Sequence, residues 1–256
     1  MDFLLFLFFI TVFSGLLYIY KKFHYKGEFD HETISLKSFI SIFSSLFPIF
    51  LAVFFIRSFL FEPFQIPSGS MKPTLLEGDF IMVKKFSYRV NLPIINFPMF
   101  EIQNPTNGDI IVFKHNKNTN MIKRIIAIPG EKIFYNKKFI YINYKIQKQY
   151  DLGATVDKNN NKLNLYVRCK KENIKNIEHK IYHIIGLQNR KYEFNNIKIP
   201  QNKYFVMGDF RDNSQDSRVW GLVDKSKIIG KAIFIWMSWN KNNNDIRWER
   251  IGKKIV

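Results

Sequence analysis

Two long apolar runs open the chain, and a different periodicity follows them. Residues 3–20 (FLLFLFFITVFSGLLYIY) carry no charge, and these eighteen residues approach the length an α-helix needs to cross a bilayer. A second run covers 39–61, interrupted by Pro48 and carrying Arg57 near its end. A membrane helix tolerates proline, and an arginine near the end of a span reaches the headgroups along its aliphatic stem. After residue 61 the apolar stretches become short and are bounded by turn signals. Asp79–Val83 and Asp109–Phe113 are each introduced by a Gly-Asp turn, and Met121–Ile128, Ile133–Ile142, Tyr204–Met207 and Ile228–Trp239 read as further strands. The pattern predicts transmembrane helices at 3–20 and 39–61, a loop at 21–38, and a mainly β, sandwich- or barrel-like domain over 62–256. A Lys/Asn-rich stretch at about 131–200 reads as an insert in that domain.

Flanking charge decides between an anchor and a cleaved leader. Asp2 precedes the first run, and Lys21 and Lys22 follow it, the reverse of a basic n-region ahead of a small-x-small cleavage site. An uncleaved anchor fits. The loop between the spans holds Lys21, Lys22, Lys26 and Lys37, and the N-terminal tail holds no Lys or Arg, so the positive-inside rule puts the loop in the cytoplasm. The N-terminus and the domain after residue 61 then face outward.

The net charge of +18 raises nucleic acid or anionic lipid as partners. Residues 131–203 contain 16 Lys/Arg against 6 Asp/Glu, more than half of the excess, without helix-turn-helix or zinc-ligand spacing. Two accounts remain, a general over-use of Lys, Asn, Ile and Phe, or a basic face held against anionic headgroups. Nucleic acid is not expected as a partner. The single cysteine, Cys169, permits no intrachain disulfide and has only positive neighbours, so it reads as a structural thiol. His179 and His183 are four apart, which would place both on one helical face, but no Glu follows the first as in a zinc protease. No metal or cofactor is expected.

Three segments carry candidate chemistry. Pro67-Ser68-Gly69-Ser70-Met71-Lys72-Pro73 sets two serines about a glycine just past the second apolar run, and alone it reads as a polar turn. In Ile122-Lys123-Arg124-Ile125, strand alternation points the two basic groups to opposite faces, so one faces inward or the strand lies at an edge. A lysine buried there would lose its charge readily and could accept a proton from a serine hydroxyl. Gly208-Asp209-Phe210-Arg211-Asp212-Asn213-Ser214-Gln215-Asp216-Ser217-Arg218 reads, on its own, as a solvated loop.

Together and in this order, the three segments resemble the bacterial type I signal peptidases (leader peptidases). The likeness is strongest in 61–83, 108–113, 121–131 and 204–221, reaches Trp236-Met237-Ser238-Trp239, and is weak over 131–200. It implies a serine endopeptidase of the bacterial inner membrane that removes signal peptides from secretory precursors on the outer (periplasmic) side. Ser70 matches the nucleophile and Lys123 the general base, a Ser-Lys dyad. Ser68 matches the hydroxyl that joins the Ser70 N–H in the oxyanion hole. Ser214 matches a serine that orients the base, and Asp216 and Arg218 a structural ion pair. Phe64, Ile66, Pro67, Leu75, Ile81, Ile111 and Ile122 fall where the family lines shallow pockets that select Ala-x-Ala-like ends. Phe210 stands where these enzymes commonly carry Asn, so altered packing with retained activity is expected.

The short link between span and Ser70 keeps the nucleophile near a membrane-tethered substrate, which raises its effective concentration. Phe61, Phe64, Trp236 and Trp239 are candidates to rest on lipid, with core packing as the alternative for the tryptophans. Two rivals share part of this pattern. One is a processing peptidase dedicated to a single secreted partner, the other a catalytically silent basic adaptor at the membrane.

Overall fold

The structure, a computed structural model, describes residues 3–24, 34–93, 97–116, 119–157, 164–187, 193–240 and 243–256. It divides into two compact units, Met1–Glu62 with Arg89–Glu101, and Pro63–Tyr88 with Ile102–Val256.

In the first unit, α1 (Phe3–His24) and α2 (Ile34–Phe55) pair as an antiparallel hairpin, and α2 continues through a π-helical turn at Ile56–Leu60. The register is visible in its contacts. Lys21 Nζ donates to Ser41 Oγ at 3.0 Å, Gly15 lies under the Phe47 ring, and Arg57 sits over the Phe3 ring at 4.4 Å. Two helices long and apolar enough to cross a bilayer result, Phe3–Phe23 and Ser38–Leu60. Thr11 and Ser14 return their hydroxyls to backbone carbonyls within α1, at 2.7 and 3.0 Å, so neither presents an unpaired polar group to an apolar surround. The same unit holds a two-stranded ribbon, β3 (Arg89–Asn91) and β4 (Pro98–Glu101), with Met99 and Phe100 exposed.

The second unit is built on an eight-stranded sheet. Its order is β1 (Phe61–Gln65), β2 (Asp79–Lys84), β16 (Ile228–Asn240), β5 (Ile110–Asn116), β6 (Thr119–Ala127), β14 (Lys203–Met207) and β15 (Val223–Asp224), with β17 (Asp245–Ile246) paired to β16. Side chains alternate across a strand, and on β5 both faces are covered: Ile110 and Val112 enter one core, Ile111 and Phe113 another. A fully apolar run such as Ile110–Phe113 is the sequence form of a strand buried on both sides.

The Lys/Asn-rich stretch forms two sheets of its own. One has the order β13 (Phe194–Lys198), β7 (Lys132–Asn136), β8 (Phe139–Ile142), β9 (Lys145–Ile146). The other is β10 (Gln149–Asp157), β11 (Leu165–Ile174), β12 (Ile177–Ile184). The four-stranded sheet layers on the main sheet through a core of Ile133, Tyr135, Ile140 and Ile142 against Ile126, Ala127, Phe205 and Met207. The expected strand Ile133–Ile142 is two strands, reversed at Lys137 and Lys138, both at positive φ (46° and 66°). That is the backbone of a tight hairpin turn, built here without the usual Asn-Gly. His179 and His183 lie on β12 and not on a helix, so they share a face through the two-residue repeat.

The C-terminal segment locks the chain around Gly78-Asp79. Asp79, fully buried, accepts from Ser238 Oγ at 2.6 Å, Leu76 N at 2.8 Å, and Arg250 Nε and Nη2 at 3.0 and 2.6 Å. Gly78 has φ +85°, and a β-carbon there would lie 2.1 Å from the Trp239 carbonyl oxygen. Gly78→Ala is therefore expected to cost at least about 2 kcal/mol, from left-handed strain and backbone collision together, and to lower the thermal midpoint by about 4 °C or more. Thermal unfolding of the solubilised protein checks this, and an unchanged midpoint would contradict it.

Candidate active site

Ser70 lies in a single 3₁₀ turn, Gly69–Met71, that leaves the extended Ser68 (φ −140°, ψ 159°). A β-carbon at Gly69 would lie 3.0 Å from both Glu77 Oε1 and Lys72 Cε, the outer ends of two flexible side chains. The opposite wall is β6. This strand lies between β5 and β14, so it is not an edge, and both basic residues are buried, Lys123 at 5% and Arg124 at 0% exposure. Of the two alternatives, an inward-facing basic group or an edge strand, the first holds, and it holds for both residues. Each has a separate solution. Lys123 Nζ meets Ser70 Oγ at 2.6 Å. Arg124, on the other face, binds Asp209 through Nε and Nη2, both at 2.8 Å, and the Gly108 carbonyl through Nη1 at 2.9 Å.

The loop after β14 closes the site from a third side. Gly208 is pressed against Ser70, and a β-carbon there would lie 2.4 Å from the Ser70 carbonyl oxygen and 2.3 Å from Ser214 Oγ, so only glycine fits. The Phe210 N–H donates to the Ser70 carbonyl at 3.1 Å. Phe210 itself is fully buried and meets the Tyr182 ring edge-on at 5.7 Å, so an apolar side chain is well accommodated at this position. Asp216 caps the short helix α3 (Ser217–Trp220) and accepts from Arg218 Nε and Nη2, both at 2.8 Å, and from Gly208 N at 3.1 Å. Ser214 is buried, and its hydroxyl is among the groups that hold the Asp216 carboxyl below its usual range.

Electrostatics follow from burial. Desolvation pulls the Lys123 amine down from its ordinary value to about 8, against the opposing pull of Asp216 and Asp209. Burial works to raise Asp216 and Asp209, but Arg218 and Arg124 outweigh it and hold both below the usual carboxylate range. Burial raises the Cys169 thiol, in keeping with an inert role.

An open cleft of about 720 Å³ runs past the pair. Phe64, Ile66, Pro67, Ser68, Ser70, Ile122, Lys123 and Ser214 line it, joined by Glu77, Met121, Asp212, Asn213 and Gln215, which had no expected part in the pocket. Leu75, Ile81 and Ile111 do not line it, because all three are fully buried in the cores behind. Sequence reasoning also missed the Arg124–Asp209 pair, whose only signal was the second basic residue of Lys-Arg. Among the described residues no cluster of three or more His, Cys, Asp or Glu could hold a metal ion.

A serine hydroxyl held by a buried lysine at the wall of an open cleft, on a mainly β domain, is an arrangement suited to hydrolysis. Comparison with known proteins names the family. The family model "Signal peptidase, peptidase S26" matches residues 39–239. Signal peptidase I of Buchnera aphidicola subsp. Schizaphis graminum is 43% identical over 84% of this chain and 82% of its own length. The Pseudomonas aeruginosa signal peptidase I is 38% identical over 81% and 76%. A solved signal peptidase I from Enterococcus faecalis V583 is 25% identical and aligns with 51% of this chain and 97% of its own at a TM-score of 0.31. The chain belongs to the signal peptidase family, peptidase S26.

The lowered Lys123 pKa carries a stability consequence. The unfolded chain holds the proton up to about pH 10.5 and the folded chain only to about 8, so this group opposes folding below pH 8, and the penalty fades between those values. Lys123→Met is expected to be more stable than wild type at pH 7, by up to about 3 kcal/mol, with the difference shrinking toward pH 10. Thermal midpoints of both proteins across that range test the sign.

Proposed function

We propose that this chain is a membrane-bound serine endopeptidase that removes N-terminal signal peptides from secreted precursors through a Ser70–Lys123 dyad, cleaving after small-x-small ends. The observation that carries the reading is the 2.6 Å contact between Ser70 Oγ and an amine whose pKa burial lowers to about 8. Near neutral pH a useful fraction of that amine is unprotonated and can take the serine proton as Oγ attacks the scissile carbonyl. The alkoxide-like oxygen of the tetrahedral intermediate then lies toward Ser68 and the Ser70 N–H, which donate to it. On collapse, the proton held by Lys123 passes to the leaving amine. Water repeats the sequence on the acyl-enzyme, with Lys123 again accepting the proton.

The substrate class is what the family name states, a precursor bearing a signal peptide. The two apolar helices support a membrane location, and lysines between them support a cytoplasmic loop with the domain on the outer, periplasmic side of a bacterial inner membrane. Of the two candidate tryptophans, Trp236, at 38% exposure and edge-on to Phe80, is better placed than the half-buried Trp239 to meet lipid.

Ser70→Ala and Lys123→Ala are each expected to abolish cleavage of a purified precursor by the detergent-solubilised protein, and Lys123→Arg to be equally dead because arginine stays protonated. Ser68→Ala should lower kcat by about 10²–10³. Activity should rise with pH through about 8, as the amine loses its proton. Turnover by Lys123→Arg, or a rate that falls across that range, would refute the dyad.

A further inference from the structure

The Lys/Asn-rich segment supplies none of the reacting groups proposed above, yet it sends an acidic side chain into the interior beside them. Glu172, on β11, is fully buried. Its carboxylate accepts from Arg211 Nη1 at 2.7 Å, from Arg211 Nη2 in a second, shorter contact, and from Gln149 Nε2 at 2.8 Å. His179 Nε2 stands 3.3 Å from the same carboxylate and 3.9 Å from Asp209. Burial and Arg124 lower the His179 pKa, and Arg211 is the cation that meets Glu172 at two points.

Arg211 belongs to the loop that closes the active site. Its carbonyl accepts from Arg218 Nη2 at 2.6 Å, and Arg218 holds Asp216 by two bonds. The backbone is gripped as well. Tyr182 N–H, on β12, donates to the Asp209 carbonyl at 2.9 Å, and Arg211 N–H donates to the Tyr182 carbonyl at 3.0 Å. The segment 209–211 is therefore held between the Ser70 backbone on one side and the β10–β11–β12 sheet on the other.

We propose that Glu172 is a positioning residue for the cleavage centre: its two-point grip on Arg211 sets the place of the Asp216–Arg218 pair that faces Lys123. The inference rests on the Ser70–Lys123 reading. Stability alone does not require this arrangement, since a buried ion pair can be exchanged for apolar residues of similar size at little cost. A two-point carboxylate–guanidinium pair instead fixes the plane of the guanidinium, and with it the direction of the chain that carries the Arg211 carbonyl. The groups facing the Lys123 amine are Ser70 from the 3₁₀ turn, Asp209 from the loop, and Asp216 and Arg218 at the start of α3.

The test measures kcat and KM of the full chain in detergent micelles, on a precursor bearing a signal peptide, across about pH 6 to 10. Wild type, Glu172→Gln, the double variant Glu172→Met/Arg211→Met, and Lys123→Met are compared. Glu172→Gln is expected to lose about tenfold or more in kcat with KM within about twofold. Its acidic limb should move down by about half a pH unit, because an Arg211 stripped of its carboxylate adds positive charge around the amine. The double variant removes both charges and should keep the wild-type thermal midpoint while remaining about tenfold slow. An acidic limb that stays or rises in Glu172→Gln, or a double variant with near wild-type kcat, would overturn the proposal. Turnover by Lys123→Met would instead sink the dyad reading, and this inference with it, whatever Glu172→Gln does.

Discussion

To serve as the proposed base near neutral pH, Lys123 has to be kept from water, and the rest of the site fits that constraint. Lys123 sits mid-strand in a central sheet strand, where desolvation is the largest influence on its amine. The loop that closes the site nevertheless brings two carboxylates, Asp216 and Asp209, and both pull the amine back toward its charged form. Unit charges about 4 Å apart interact by about 4 kcal/mol near a protein surface, enough to cancel a shift of two or three pKa units. Each carboxylate is spent on an arginine instead: Arg218 holds Asp216, and Arg124 holds Asp209. The acids can then hold the loop in place without holding the proton on Lys123.

The alternation of β6 solves two problems with adjacent residues. Lys123 points to the cleft and Arg124 to the opposite face, where it ties the loop to the Gly108 turn. Close backbone approach does the rest. Gly208 lets the loop lie directly on Ser70, and Gly78 lets the start of β2 lie directly on the Trp239 carbonyl. Asp79 then receives the C-terminal arginine Arg250, which also donates to the Thr74 carbonyl at 3.0 Å. The turn carrying Ser70 is thus fixed at both ends by contacts far away in sequence. On a free polar turn, Ser70 would have no fixed distance to Lys123.

Much of this was legible before any coordinates, and the reasons differ by region. The apolar runs and the Gly-Asp turns announce themselves because each is a local property of the chain. The Ser-Gly-Ser-Met, Lys-Arg and Gly-Asp-Phe-Arg-Asp-Asn-Ser segments read individually as ordinary turns and loops, and only their joint order gave them meaning. Hairpins in the Lys/Asn-rich part were hidden because the positive-φ positions are Lys137-Lys138, Asn143-Tyr144 and Lys175-Asn176, which carry no glycine. Partners such as Glu172 for Arg211 could not be read at all. A buried ion pair leaves no periodic trace, and in a segment so rich in charge a single Glu looks solvated.

Leu75, Ile81 and Ile111, expected to line substrate pockets, are fully buried and are not among the residues that line the cleft, and this placement bears on how a shallow cleft would stay shallow. Leu75 and Ile81 pack in one core with Ile66, and Ile122 packs against the same core. Phe64, Ile66 and Ile122 line the cleft, and the fully buried Leu75 and Ile81 share the core behind them. Packed interiors accommodate an added methylene only with strain. A larger side chain pressed against Ile66 would have to displace Leu75 or Ile81, and so strain the sheet itself. The proposed preference for small residues then needs no dedicated blocking group, because the rigidity of the core behind the cleft wall imposes it.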